Sequence, residues 1–332
     1  MNALSVAPGS GPLRGLVGDR RQLASVRGAE LQDGPERGLR VLMFSTGGGL
    51  DFWVLADRSM DIGPLSWRGV PVAWQHPGGY CAPALLNEWS DCDTGIERAL
   101  GGYLVTCGLD NARQPRNGLP LHGTLPLSPA RILASGEDWD APVPILFAEG
   151  EVTTAHLSGA CFRLHRRIEA PIGGGLVRIV DRVENIGPED AVMQILYHTN
   201  FGFPAVGRGT QVHLNGRSIL GGDDGADDAC HKIRCHDSGP GTFVARLERP
   251  GGGDGWAGVS ATLTGSGERL PVFQTWRDAR ANRNILSLEP SNCPRGADGK
   301  SVGGTLLAPG ETWTNSVDHS FADPSASHAK GS

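Results

Sequence analysis

Runs of roughly five to nine apolar-rich residues, cut by short clusters of Gly, Pro, Asn or Asp, fill most of this chain. That spacing limits the fold more than any other feature. Strands this close together leave no room for helical crossovers, so they must pair with neighbours in antiparallel fashion. Five turns stand out. "LRVLMFST" and "LDFWVLAD" flank Gly47–Gly49, and "IGPLSW" and "VPVAW" flank Arg68–Gly69. Residues 161–169 face 175–185 across "PIGGG", and 241–248 face 256–264 across a Gly-rich loop. "GTLLAPGETWTNSVDHSF" turns at Pro309–Gly310. With 49 glycines and 23 prolines, about a fifth of the 332 residues can make tight turns. Helical periodicity is expected only over 93–103, "DTGIERALGGY", with Asp93 or Thr94 as cap and Ile96, Ala99 and Leu100 on one face. The expectation is an all-β chain: one large antiparallel sandwich domain over 1–332, with its core at about 15–321 and a frayed tail at 322–332.

Charge and motif content narrow the function. The net charge is −6 with no long basic run, which argues against a nucleic-acid partner. No stretch of about 18 apolar residues offers a membrane span. The N-terminus, "MNALSVAPGSGPLRG", lacks the charged and apolar regions of a signal peptide. Seven cysteines, at 81, 92, 107, 161, 230, 235 and 293, form no CxxC and suit reduced thiols, so a cytoplasmic protein is expected. Neither a nucleophile elbow nor HExxH nor an EF-hand occurs. The Gly-rich stretches lie in turns and do not read as phosphate loops.

Polar residues stand where strands should be apolar. In "VMQILYHTNFGFP", an apolar run ends in His198, Thr199 and Asn200 before Phe201. Buried imidazoles and carboxamides need partners, so this placement calls for a reason. Three other strand ends do the same. "LADRSMDIG" carries Arg58 and Asp61; "CGLDNARQP…LHG" carries Asp110, Asn111, Arg113 and His122; "NILSLEPSNCP" carries Glu289. Each alone reads equally well as a turn residue, a loop cap or an ion pair. Four such segments together weaken that reading.

The order of these segments, closed by "LAPGET", resembles the aldose 1-epimerase (galactose mutarotase-like) superfamily, and within it an uncharacterised bacterial branch with a domain of unknown function. The resemblance runs over about 38–321. It implies a β-supersandwich with a sugar cleft on one face, a monosaccharide partner and no cofactor. It implies Glu289 as general base, His198 as general acid and His122 as a hydrogen-bonding partner of the sugar. Arg58 or Arg113 would sit on the substrate side, together with Asp110, Asn111 and Asn200. Three features depart from the superfamily pattern. Tyr197 precedes His198 where an Asn is usual, with Asn200 following it; "DNARQP" stands where Asn-Arg is usual near the first histidine; and no aspartate clearly matches the sugar-binding one, leaving Asp223, Asp224, Asp227 and Asp237 as alternatives.

The chemistry implied is anomer exchange. A base takes the anomeric hydroxyl proton while an acid protonates the ring oxygen, and the pair is expected to straddle the ring at about 2.6–3.2 Å from each oxygen. A glutamate is a weak base unless burial disfavours its charged form, and histidine is readily protonated near neutral pH. Among the eight tryptophans, Trp276 in "FQTWRDA" is the candidate for a wall that stacks on a sugar. Arg58, Arg113 or Arg131 could receive a carboxylate or phosphate on that sugar. Two alternatives stay open. One is a keto-sugar isomerase or lyase on the same scaffold, with a metal held by His76, His122 and His198. The other is a carbohydrate-binding protein without catalysis. Exposed sheet edges make a homodimer an expectation.

Overall fold

The computed structural model describes residues 13–157, 159–220, 232–251 and 255–324. Five strands open the chain: β1 (Ser25–Glu30), β2 (Arg40–Ser45), β3 (Leu50–Leu55), β4 (Asp61–Trp67) and β5 (Val70–Pro71). After β6 (Leu104–Leu109) come β7 (Arg131–Asp138), β8 (Ile145–Ala155), β9 (Cys161–Pro171), β10 (Leu176–Asn185) and β11 (Ala191–Phe201). Next are β12 (Gln211–Leu214), β13 (Arg217–Leu220), β14 (Lys232–Asp237), β15 (Thr242–Arg249) and β16 (Val259–Ser266). The last are β17 (Val272–Asp278), β18 (Ile285–Ser291), β19 (Thr305–Leu307) and β20 (Thr312–Ala322).

The first five strands form a meander in chain order. A nine-stranded sheet runs β13-β12-β15-β16-β20-β10-β9-β8-β7, and a six-stranded sheet runs β14-β17-β18-β11-β19, with β6 also paired to β11. Every pairing among these described strands is antiparallel. The described residues thus form an all-β fold of antiparallel sheets.

Period-two patterning explains the layers. In β9, Phe162, Leu164 and Ile168 are buried while Arg163 is exposed; in β10, Val177, Ile179 and Val183 turn inward. These residues share one core with Met193, Ile195, Tyr197 and Phe201 of β11 and Leu286 and Leu288 of β18. The opposite face of β11 is covered too. There Leu196 packs with Val105, Cys107, Ala112, Cys293 and Trp276. β11 from Met193 onward and all of β18 are therefore buried on both faces, so polar side chains there need partners inside the protein; among the described residues the Thr199 hydroxyl has none.

Four of the expected hairpins form: β2–β3, β4–β5, β9–β10 and β15–β16. At the β4–β5 turn both Arg68 and Gly69 take positive φ, 49° and 80°, as a two-residue hairpin loop requires. The turn at Pro309–Gly310 also forms, but its two strands part. β19 pairs with β11 and β20 with β10 and β16, so this is a connection between sheets.

The helix expected over 93–103 does not form. One short 3-10 turn covers Gly95–Arg98, and Asp91, Cys92 and Asp93 are left-handed. The backbone groups that a helix would pair are spent elsewhere. The Asp93 carbonyl accepts from Leu121 N, and the amides of Gly102 and Tyr103 donate to the carbonyls of Trp74 and Gly63. No helix among the described residues is long and apolar enough to cross a membrane.

Candidate active site

Sheet register assembles the site. On β11, Leu196 lies opposite Ser291 and Thr199 opposite Leu288 of β18, which sets His198 across from Glu289. Glu289 in turn lies opposite Gln274 of β17, and Gln274 opposite Cys235 of β14. On the other side His198 pairs with Val105 of β6. Five adjacent strands thus place Val105, His198, Glu289, Gln274 and Cys235 in one row on one face. The next row along the strands holds Asn200, Ser287 and Trp276. Pro290 has no N–H, so the β11–β18 ladder is interrupted beside the Glu289 position.

Hydrogen bonds fix the orientation of each group. His198 is 3% exposed and Glu289 0%. His198 Nε2 lies 3.4 Å from Glu289 Oε1. Asn200 Nδ2 donates to the carbonyls of Leu100 (3.4 Å) and Gly102 (3.2 Å). Its Oδ1 is therefore the end that meets His198 Nδ1 at 2.5 Å. An amide oxygen only accepts, so Nδ1 carries the proton and donates. Nε2 is left as the ring atom that can gain or lose a proton, and it faces the carboxylate. Glu289 Oε1 also accepts from Ser287 Oγ, and Oε2 accepts from Gln274 Nε2. Beneath them Arg113 Nη1 donates to Gln274 Oε1 and Nη2 to the Cys293 carbonyl at 3.0 Å.

The segment between β6 and β7 covers the row. His122 stands edge-on to His198, with ring centroids 5.4 Å apart. Burial, and then the positive charges of His198, Arg113 and Arg295, push its pKa down to about 3, so the ring is neutral at ordinary pH. Its Nδ1 lies 3.1 Å from the Ala112 carbonyl and donates to it, which leaves Nε2 as a bare acceptor. His122 and Gly123 both have positive φ, 64° and 74°. A Cβ on Gly123 would lie 2.3 Å from Asp110 Oδ1 and 2.4 Å from the Asn111 carbonyl, so the turn that presents His122 admits only glycine there. Half-buried Trp276 makes the side wall, its ring 5.7 Å from His198.

Six of the expected residues therefore gather here: Glu289, His198, His122, Asn200, Trp276 and Arg113. Three do not. Arg58 is fully buried; it donates to the Gly101 carbonyl at 2.9 Å and lies beside Asp61, behind the 100–103 segment. Asp110 accepts from Asn111 N and Thr124 N and Oγ1, and pairs with His156 Nε2 at 2.9 Å. Asn111 Nδ2 ties the carbonyls of Arg113, Gln114 and Pro120. These two shape the covering segment. Arg131 lies out on β7, paired with Glu151 at 3.2 Å. Asp237 accepts from the Gly239 amide at the end of β14, and Asp223, Asp224 and Asp227 lie outside the described residues.

The geometry corrects one expectation: the acid and base candidates touch, rather than standing apart across a ring. His76 keeps company with Trp74 and Arg283 instead of joining His122 and His198. Among the described residues no three His, Cys, Asp or Glu side chains gather to hold a metal. Two site groups escaped the sequence reading. Ser287 was visible as the residue two before Glu289 on the same strand face. Gln274 was not, since it meets Glu289 only through a pairing of two strands.

A model of the Domain of unknown function (DUF4432) matches residues 36–320. The chain belongs to this family. No curated protein matches the chain. Solved structures do resemble this DUF4432 member. One is a Klebsiella pneumoniae protein provisionally described as an aldose 1-epimerase. It is 17% identical with a TM-score of 0.71, over 96% of this chain and 87% of that one. Another is a galactose mutarotase related enzyme of Lactobacillus acidophilus, 11% identical with a TM-score of 0.57, over 83% of this chain and 95% of that one. A third is a galactose mutarotase-like protein of Lactobacillus casei, 12% identical with a TM-score of 0.54, over 85% and 100%. At these identities the likeness establishes the fold.

Proposed function

We propose that this protein interconverts the anomers of a monosaccharide, with Glu289 as general base and His198 as general acid. The observation that carries the reading is the buried His198–Glu289 contact, 3.4 Å long, with the histidine's far nitrogen pinned by Asn200. The anomeric hydroxyl and the ring oxygen are bonded to the same carbon, so their acid and base need not flank the sugar. Two neighbouring side chains on one sheet face can serve both atoms. Glu289 takes the proton of the anomeric hydroxyl, His198 Nε2 delivers one to the ring oxygen, and the C1–O5 bond opens. The carbonyl turns, and the same two groups reverse their roles to close the other anomer. Neutral His122 offers Nε2 to a sugar hydroxyl, and Trp276 offers a ring face or edge to its C–H groups.

Burial supports this reading over simple sugar binding. A carboxylate and an imidazole enclosed together carry a desolvation cost that a binder has no need to bear. The test is exchange NMR on a panel of aldoses, uronic acids and sugar phosphates, with wild type and Glu289→Gln. Exchange between anomer signals should quicken with wild type and fall by about 10²–10⁴-fold in the variant. Full exchange with Glu289→Gln would remove the base, and none with wild type on any sugar would remove the function.

A further inference from the structure

Arg113 is 2% exposed, and among the described residues its guanidinium forms no ion pair. A buried cation without a carboxylate in contact is costly and needs a purpose. Nη1 and Nη2 donate to Gln274 Oε1 and to the Cys293 carbonyl, while Nε has no partner among the described residues. A guanidinium has no acceptor, so it can hold only the oxygen end of the Gln274 amide. The nitrogen end is thereby turned to Glu289 Oε2. Reversing the amide would set N–H against N–H at one end and oxygen against carboxylate at the other. Direct contact would do something else. An arginine fork on Glu289 would take one lone pair of each oxygen and set a full positive charge against the carboxylate, which would weaken it as a base. The neutral amide between them leaves Oε1, which accepts from Ser287 Oγ, with a second lone pair for His198.

We propose that Arg113 is a positioning residue: through Gln274 it holds the Glu289 carboxylate in one orientation and supplies its countercharge at one remove, touching no substrate. The proposal rests on the reading of Glu289 as base. The titratable groups around Glu289 are His198 on β11, Arg113 from the covering segment, and the thiols of Cys107 on β6 and Cys235 on β14, with His122 and Arg295 beyond. Burial pushes both thiols up, so they stay neutral, and His122 is neutral as well. Arg113 and His198 are then the cations that act on the carboxylate at short range.

The experiment compares Arg113→Met, Gln274→Met, the double variant and Arg113→Lys. One readout is the pH profile of anomer exchange, with kcat and KM separated. The other is the carbon-13 titration of the Glu289 carboxyl, assigned by its loss in Glu289→Gln, which needs no turnover. Each Met variant should lower kcat by about 10²-fold with KM little changed. Each should move the acid limb and the carbon titration up by about one pH unit or more. The double variant should be no worse than Gln274→Met, because the two act as one unit, and Lys should restore part of the shift. An unmoved titration in both Met variants overturns the proposal, as does a rise in KM alone for Arg113→Met, which would make Arg113 a substrate contact. Should Arg113→Met fail to fold, Gln274→Met decides by the same titration. If no sugar is turned over, the catalytic reading fails while the titration still tests the relay.

Discussion

Asn200 sets the state of His198, and its replacement by Leu tests that link. The side chain keeps nearly the same volume, so the loss is one of polarity. Three buried groups lose a partner: His198 Nδ1 (2.5 Å), the Gly102 carbonyl (3.2 Å) and, less fully, the Leu100 carbonyl (3.4 Å). At about 1–3 kcal/mol for each unsatisfied buried group, discounted for the long contact, the fold should lose about 2–5 kcal/mol. That is a large share of a net stability of about 5–15 kcal/mol. Urea denaturation measures it. The functional effect should be separate. With no acceptor at Nδ1, the ring can carry its single proton on Nε2, and the tautomer is no longer set. Side-chain nitrogen-15 NMR should find His198 protonated at Nδ1 in wild type across the neutral range, and a mixture in Asn200→Leu. Anomer exchange should fall by about 10²-fold, as for loss of an acid group. A variant with wild-type exchange and an unchanged tautomer would refute the reasoning, whatever its stability.

A pH effect should come from His319. It is fully buried, its Nδ1 meets Tyr103 Oη at 3.0 Å, and burial lowers its pKa to about 4. The unfolded chain binds this proton near an ordinary 6.5 and the folded protein only near about 4. This contribution is whole above pH 6.5 and is lost as pH falls toward 4, about 3 kcal/mol in all. Denaturation midpoints from pH 7 to 4 should fall, and His319→Gln should flatten the slope; equal slopes would contradict the assignment. A second effect concerns Arg166, fully buried between Asp181 (2.7 Å) and Asp61 (3.2 Å). Arg166→Met strands two buried carboxylates and should cost about 3–5 kcal/mol in urea denaturation. An unchanged midpoint would show that these ions contribute nothing.

The antiparallel plan was legible because its information is local: turn chemistry, strand length and period two all lie within a few residues of each other. It failed where a segment's own preference competed with distant partners. Ile96, Ala99 and Leu100 suggest a helix, but the Asp93 carbonyl is taken by Leu121 N, and the amides of Gly102 and Tyr103 go to the carbonyls of Trp74 and Gly63. Likewise, 305–307 and 312–322 look like a hairpin, yet each finds a better partner in another sheet. In the site, His198 and Glu289 were visible as polar residues in strands otherwise buried on both faces. Arg58, Asp110 and Asn111 sent the same signal for a structural reason, since a buried polar group that braces a loop looks, in sequence, like one that meets a substrate. Gln274 gave no signal, because its role depends on which residue of β18 lies opposite.

The most direct measurement is a crystal structure of Glu289→Gln soaked with an aldose that wild type anomerises. The anomeric oxygen should lie within hydrogen-bond reach of the residue 289 amide and the ring oxygen within reach of His198 Nε2, both on the same sheet face beside Trp276. A sugar bound elsewhere, with His198 and residue 289 still closed on each other, would contradict the account.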